Sequence, residues 1–151
     1  MRSRALAAWR LVMLLAGLLS ASPSVRAEQR AANLPPGDSA AIQSVIREQI
    51  GAFRRDDAAA AFAFASPGIQ QQFGDAATFM GMVRRGYAPV YRPGSFAFGP
   101  LVEIDGKIVQ RVELIGPGGE HDRALYFMER ESDGSWRIDG CILEHRESVG
   151  A

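Results

Sequence analysis

From residue 95 onward the chain is punctuated by turn signals at short, regular intervals: Asp105-Gly106, then Gly116-Pro117-Gly118-Gly119, then Asp133-Gly134. Between them lie four strand-like runs, 95–104, 107–115, 123–131 and 136–143. A two-residue Asp-Gly connection joins antiparallel neighbours, because its backbone twist matches that of the strands it links. This half of the chain is therefore held to an antiparallel meander, with one face to bury and one to leave in water. Whatever precedes it has to cover the buried face.

The preceding residues have helical periodicity. Ile42, Val45, Ile46, Gln49, Ile50 and Phe53 recur at the spacing of one helix face, with Asp38 and Ser39 available as N-caps. Asp56 and Asp57 stop this helix and start a second, 58–65, whose alanines require close packing. Ser66-Pro67-Gly68 ends it, and 69–73 has the composition of one further turn. Asp75 caps a third helix, 76–85, with Phe79, Met82 and Val83 on its apolar side and Gly86 closing it. The expected fold class is α+β, three N-terminal helices packed on a curved four-stranded antiparallel meander. The curvature is read from the last strand. Trp136 and Ile138 share one face, whereas Cys141 and Leu143 have the opposite parity, with Gly140 at the change. A β-bulge there returns both pairs to one side and bends the sheet into a cone around a cavity.

Residues 1–27 read as a targeting segment. Arg2, Arg4 and Arg10 form a basic region, 11–21 is an uninterrupted apolar run, and Val25 and Ala27 fit the small-residue positions of a cleavage site. The run is too short to span a bilayer, which takes about 20 apolar residues, so no stable membrane anchor is expected. The domain plan is a signal peptide over 1–27 cleaved after Ala27, a linker over 28–38, one α+β domain over 39–146 and a disordered tail over 147–151. The expected location is exported, periplasmic. Cleavage removes four arginines and no acid, leaving 13 basic and 17 acidic residues, net −4. A mildly acidic domain without a basic patch excludes nucleic acid as a partner, since that affinity comes from neutralising phosphates. The single cysteine, Cys141, cannot form an internal disulfide; between Ile138 and Ile142 it reads as a buried, inert thiol.

Helices followed by a strongly curved antiparallel sheet resemble the nuclear transport factor 2-like superfamily, the cone-shaped fold shared with ketosteroid isomerase. More closely, the chain resembles the bacterial family called domain of unknown function 4864. The resemblance is carried by IREQIGAF at 46–53, the Asp56-Asp57 pair, FAFASP at 62–67, GYAPVYRP at 86–93, Phe98-Gly99, Gln110 and WRIDGCIL at 136–143. It runs over roughly 39–143 and implies the cone-shaped fold but no activity. The Tyr/Asp oxyanion pair and Asp base of the isomerase branch have no residue-by-residue counterpart here, so that chemistry is not carried over.

No catalytic constellation stands out. Asp56-Asp57 could serve as an acid/base pair, but one capping the second helix while the other meets its N-terminal dipole accounts for both. Arg84-Arg85 sits where a helix C-terminus favours cations. Both histidines, in Glu120-His121-Asp122 and Glu144-His145, are flanked by acids without the spacing of a zinc site, so no metal and no cofactor is expected. The stretch 87–93, with two tyrosines, two prolines and an arginine, joins helix to sheet, where binding residues concentrate. Gln110 shares strand parity with Ile108, Val112 and Leu114, which makes it a polar group on an apolar face, bonded to a neighbouring strand or the 87–93 turn, or serving as a ligand handle. The candidate pocket residues are Tyr91, Arg92, Gln110, Tyr126, Trp136 and Asp139. The leading expectation is a non-enzymatic binding or accessory module that takes a small apolar ligand in the cone or uses its outer sheet face. The alternative is a small isomerase- or dehydratase-like enzyme with acid/base residues among Tyr91, Tyr126, Asp139 and Gln110. A homodimer through the sheet is the third.

Overall fold

The turn chemistry sets the sheet. In the computed structural model, which describes residues 30–145, β2 (Ser95–Ile104) and β3 (Lys107–Ile115) have the predicted bounds. Asp105 and Gly106 between them both take positive φ, 50° and 76°, the signature of a type I′ hairpin. β4 (His121–Arg130) begins earlier than predicted and β5 (Trp136–His145) runs further. A fifth strand, β1 (Arg30–Ala31), lies in the stretch expected to be linker and pairs with Val102 and Glu103. The sheet is antiparallel throughout, in the order β1-β2-β3-β4-β5. The expected signal peptide and tail lie outside the described residues.

The sheet is interrupted twice. On β5, Met128 faces Ile138 and Phe127 faces Gly140, leaving Asp139 as the extra residue of a bulge. Trp136 and Ile138 before it are buried, and Cys141 and Leu143 after it pack on the same core. Ile142, pointing the other way, is 51% exposed. On β2 the register shifts between Phe98 and Leu101, so Gly99 and Pro100 bulge opposite Arg111. Both bulges bend their strands and raise the local twist.

Five helical segments precede β2, against three expected: α1 (Asp38–Arg54), α2 (Ala58–Ala63), α3 (Pro67–Phe73), α4 (Ala76–Gly86) and α5 (Ala88–Tyr91). α1 is capped differently from expectation. Gly37, at φ 93°, makes the turn out of Pro35-Pro36, so Asp38 falls inside the first turn, where its carboxylate receives Arg130 Nη1 at 2.9 Å. α1 ends in a Schellman arrangement: Asp57 N–H bonds Ala52 C=O, Asp56 N–H bonds Phe53 C=O, and Asp56 is left-handed at φ 54°. Asp57, Ser66 and Asp75 then cap α2, α3 and α4, each side-chain oxygen accepting a backbone N–H three residues on.

Ile42, Ile46 and Ile50 of α1 are fully buried against the inner face of the sheet, with Phe53 at their end. Each contributes about 1.5–3 kcal/mol by leaving water. α2 packs through Ala61, and Phe79 of α4 gathers Phe53, Phe62 and Phe73 at centroid distances of 6.3, 5.4 and 5.6 Å. The segment between α2 and α3 lies beside β5: Ile138 N–H bonds Phe64 C=O, and Ser66 N–H bonds Ile138 C=O, both at 2.8 Å.

Candidate functional site

The helices do not fill the concave side of the sheet. A half-enclosed cavity of about 200 Å³ remains. Gln49 and Phe53 of α1 form its back, and Ile69, Gln72 and Phe73 of α3 lie on one side. Phe79, Met82 and Val83 of α4 continue into Tyr87 and Val90 around α5, and Tyr126, Ile138, Gly140 and Cys141 form the sheet wall. The bulge at Asp139 is what turns Cys141 to this side. Without the extra residue, alternation along β5 would put it on the face that Ile142 now occupies.

The polar groups around the cavity differ in how they are satisfied. Gln49, 3% exposed, donates its amide to Ala61 C=O at 3.1 Å. Tyr87 donates its hydroxyl to Cys141 C=O at 3.0 Å. Tyr126 is buried and its hydroxyl has no hydrogen-bond partner among the described residues. Cys141 as a residue is partly exposed, but its thiol is shielded, and burial pushes its pKa up to about 12. Burial likewise raises Tyr87, and Tyr126 well above the ordinary phenol value, with the Cys141 sulfur adding to each. All three protons stay on at neutral pH.

Of the six residues singled out from sequence, the structure brings one, Tyr126, to the cavity. Gln110 is fully buried elsewhere, donating to Gly99 C=O at 2.8 Å and Arg111 C=O at 2.9 Å, so it stitches the β2 bulge to β3. Tyr91 and Arg92 stand on the surface around Asp56. The Asp56 carboxylate accepts from the Tyr91 hydroxyl, from Arg92 at 2.7 Å and from Arg84 at 3.2 Å, while the two guanidinium groups lie over the Tyr91 ring at 4.9 and 5.6 Å. The Tyr91 hydrogen bond, then the arginines, hold Asp56 below the usual carboxylate range. Asp56 therefore ties α4 and α5 to the end of α1, where a role at the α2 dipole was expected. The Arg84 expected to be a solvated helix end is part of the same cluster.

Trp136 and Asp139 border a separate open depression beside Lys107 and Glu129. Asp139 accepts from Ser66 Oγ at 2.7 Å and lies 3.8 Å from Lys107 Nζ. Glu129 is raised above its usual value, by desolvation first and then by Asp139. Across β4 and β5, His145 Nδ1 meets Asp122 Oδ1 at 2.6 Å. Among the described residues no three His, Cys, Asp or Glu side chains converge as a metal site, and no helix is long and apolar enough to cross a membrane.

Sequence reasoning missed Gln49, Tyr87 and Cys141 as cavity residues. Gln49 carried a signal, since it is the one polar side chain in the apolar stripe of α1. Cys141 carried another through the parity change at Gly140. Only the path of α5 brings Tyr87 over the sheet.

The fold and cavity define an α+β protein whose helices and antiparallel sheet enclose a small apolar chamber. The chain belongs to the family described as domain of unknown function (DUF4864), whose model matches residues 36–151. No curated protein and no solved structure matches it.

Proposed function

We propose that the protein is a non-enzymatic, exported binding module that holds a small apolar ligand between its helices and the inner face of its sheet. The observation that carries this reading is the chamber of about 200 Å³ lined by uncharged side chains. An acid/base enzyme would need a carboxylate or histidine within hydrogen-bond reach of its substrate, and among the described residues none lines the chamber. Tyr91, Gln110 and Asp139, the other members of the alternative acid/base set, are engaged elsewhere. Helices seated on a bulged antiparallel sheet also support the cone of the nuclear transport factor 2-like superfamily, and residues 1–27 support export.

Native mass spectrometry of the protein recovered from a periplasmic or medium fraction tests location and binding together. The expected product begins at Glu28 and carries a non-covalent adduct that leaves on mild activation. Val83→Phe, which places a ring in the chamber, should fold as the wild type does and lose the adduct. A product retaining residues 11–21 would refute export. An adduct-free wild type that also takes up no p-xylene, or a Val83→Phe protein that retains the adduct, would refute the binding role.

A further inference from the structure

Among the described residues no Asp, Glu, Lys, Arg or His lines the chamber. An ionised ligand would give up its hydration there without meeting a counter-charge, so charged molecules are disfavoured whatever their shape. One lining group still calls for a polar partner. Gln49 gives an amide N–H to the Ala61 carbonyl, and that bond fixes which end of the amide is oxygen. The oxygen, Oε1, accepts no hydrogen bond among the described residues. The Tyr126 hydroxyl and Gln110 Oε1 also lack partners, but they are sealed inside the core, whereas Gln49 Oε1 keeps some open surface. Gln49 is only 3% exposed and lines the chamber, so that remaining surface faces the cavity. The neighbouring polar groups do not serve it: the Tyr87 proton goes to Cys141 C=O, and Gln72 lies at the exposed rim. A ligand that fills the chamber without offering a donor shuts this acceptor off from water as well, and loses affinity for it.

We infer that the chamber takes a compact, neutral, largely hydrocarbon molecule carrying one hydrogen-bond donor, an N–H or O–H, which Gln49 Oε1 accepts. The inference rests on the binding function proposed above and adds the chemical class of the ligand. An apolar cavity of about 150 Å³ accommodates benzene, so about 200 Å³ is room for a fused bicyclic.

Indole and benzofuran differ at one ring position, a donor N–H against an oxygen, and indole-3-carboxylate keeps the N–H but adds a charge. Titrated calorimetrically into the wild type and Gln49→Met, the three separate the inference from the reading beneath it. The wild type should bind indole about fivefold tighter than benzofuran, the worth of one neutral hydrogen bond, and the carboxylate far more weakly than either. Gln49→Met keeps the length of the side chain and removes the acceptor. It should erase indole's advantage while holding benzofuran as the wild type does, which also shows that the variant is folded with its chamber intact. The wild-type ratio is read independently of that variant and decides even if the variant does not fold. Benzofuran binding as well as indole or better, an indole preference that survives in Gln49→Met, or tight carboxylate binding would overturn the ligand class and leave the chamber's binding role standing. Failure of the wild type to bind any of the three would remove both.

Discussion

An amide on an apolar face must find partners, and Gln49 and Gln110 do so on different sides of the core. Gln49 turns to a carbonyl of α2 and helps wall the chamber; Gln110 turns to two carbonyls at the β2 bulge. At Gly99 and Pro100 two residues oppose one, so the ladder is locally broken and the Gly99 carbonyl depends on the Gln110 side chain. Replacing Gln110 by leucine removes its unpaired Oε1, a gain, but strands two acceptors, a larger loss. Gln110→Leu is therefore expected to cost about 1–3 kcal/mol in urea unfolding at unchanged m-value. A neutral or stabilising result would mean that the bulge holds without it. Parity on β3 showed that Gln110 points inward, but could not show that β2 bulges opposite it, because Gly99-Pro100 carries no alternation of its own. The identity of its partner was therefore hidden.

At the level of elements, sequence chemistry was most legible where one residue performs one local task. Asp57 and Asp75 cap α2 and α4 as their positions suggest, Asp105-Gly106 makes its hairpin, and the parity change at Gly140 marks a real bulge. It was least legible where a residue's task is set by distant chain, as with Asp56, whose partners come from α4 and α5. Ser66 has one task of each kind. Its oxygen accepts the Ile69 N–H at the start of α3, and its proton goes to Asp139 at the β5 bulge. Ser66→Ala should consequently destabilise more than the plain cap removal Asp75→Ala, about 2 kcal/mol against about 1. In a double-mutant cycle with Asp139→Ala, the Ser66→Ala cost should shrink while the Asp75→Ala cost stays as it was. Equal costs at the two caps would mean that the Asp139 bond contributes nothing.

For the molecule as a whole, two sets among the titrating groups that folding perturbs have opposite pH windows. Asp56, Asp75 and Asp133 are held low by their hydrogen bonds, so the stability they lend is present above the ordinary carboxylate range and is lost as pH falls through it. Cys141, Tyr87 and Tyr126 are raised by burial, so the folded state keeps protons that the unfolded chain releases, and stability is lost as pH climbs. For Cys141 the window opens near the unfolded thiol value, about 8.5, and runs to about 12. The urea midpoint should be level from about pH 5 to about pH 8 and decline above that. Cys141→Ala, whatever its effect at pH 7, should flatten the decline between about pH 9 and about pH 11. Parallel declines in the two proteins would show that the thiol is not shielded. The meander and its bent last strand could be read from turn residues and parity alone. A cavity was expected from that bend, but its lining could not be read, because it is the space left over when α3, α4 and α5 settle around Phe79, a matter of how rings and alanines fit.

The alignment of residues 64–66 with β5 bears on how the protein behaves in a crowd. A sheet whose last strand is bare acts as a template, and a second molecule can add to it through the main chain alone. Here the Ile138 donor and acceptor are already engaged by Phe64 and Ser66, and the Cys141 acceptor by Tyr87. The opposite margin is a strand of two residues. A newcomer meets a rim whose bonding groups are occupied just where it would have to start, so growth by strand addition lacks a foothold even beside the uncovered Ile142.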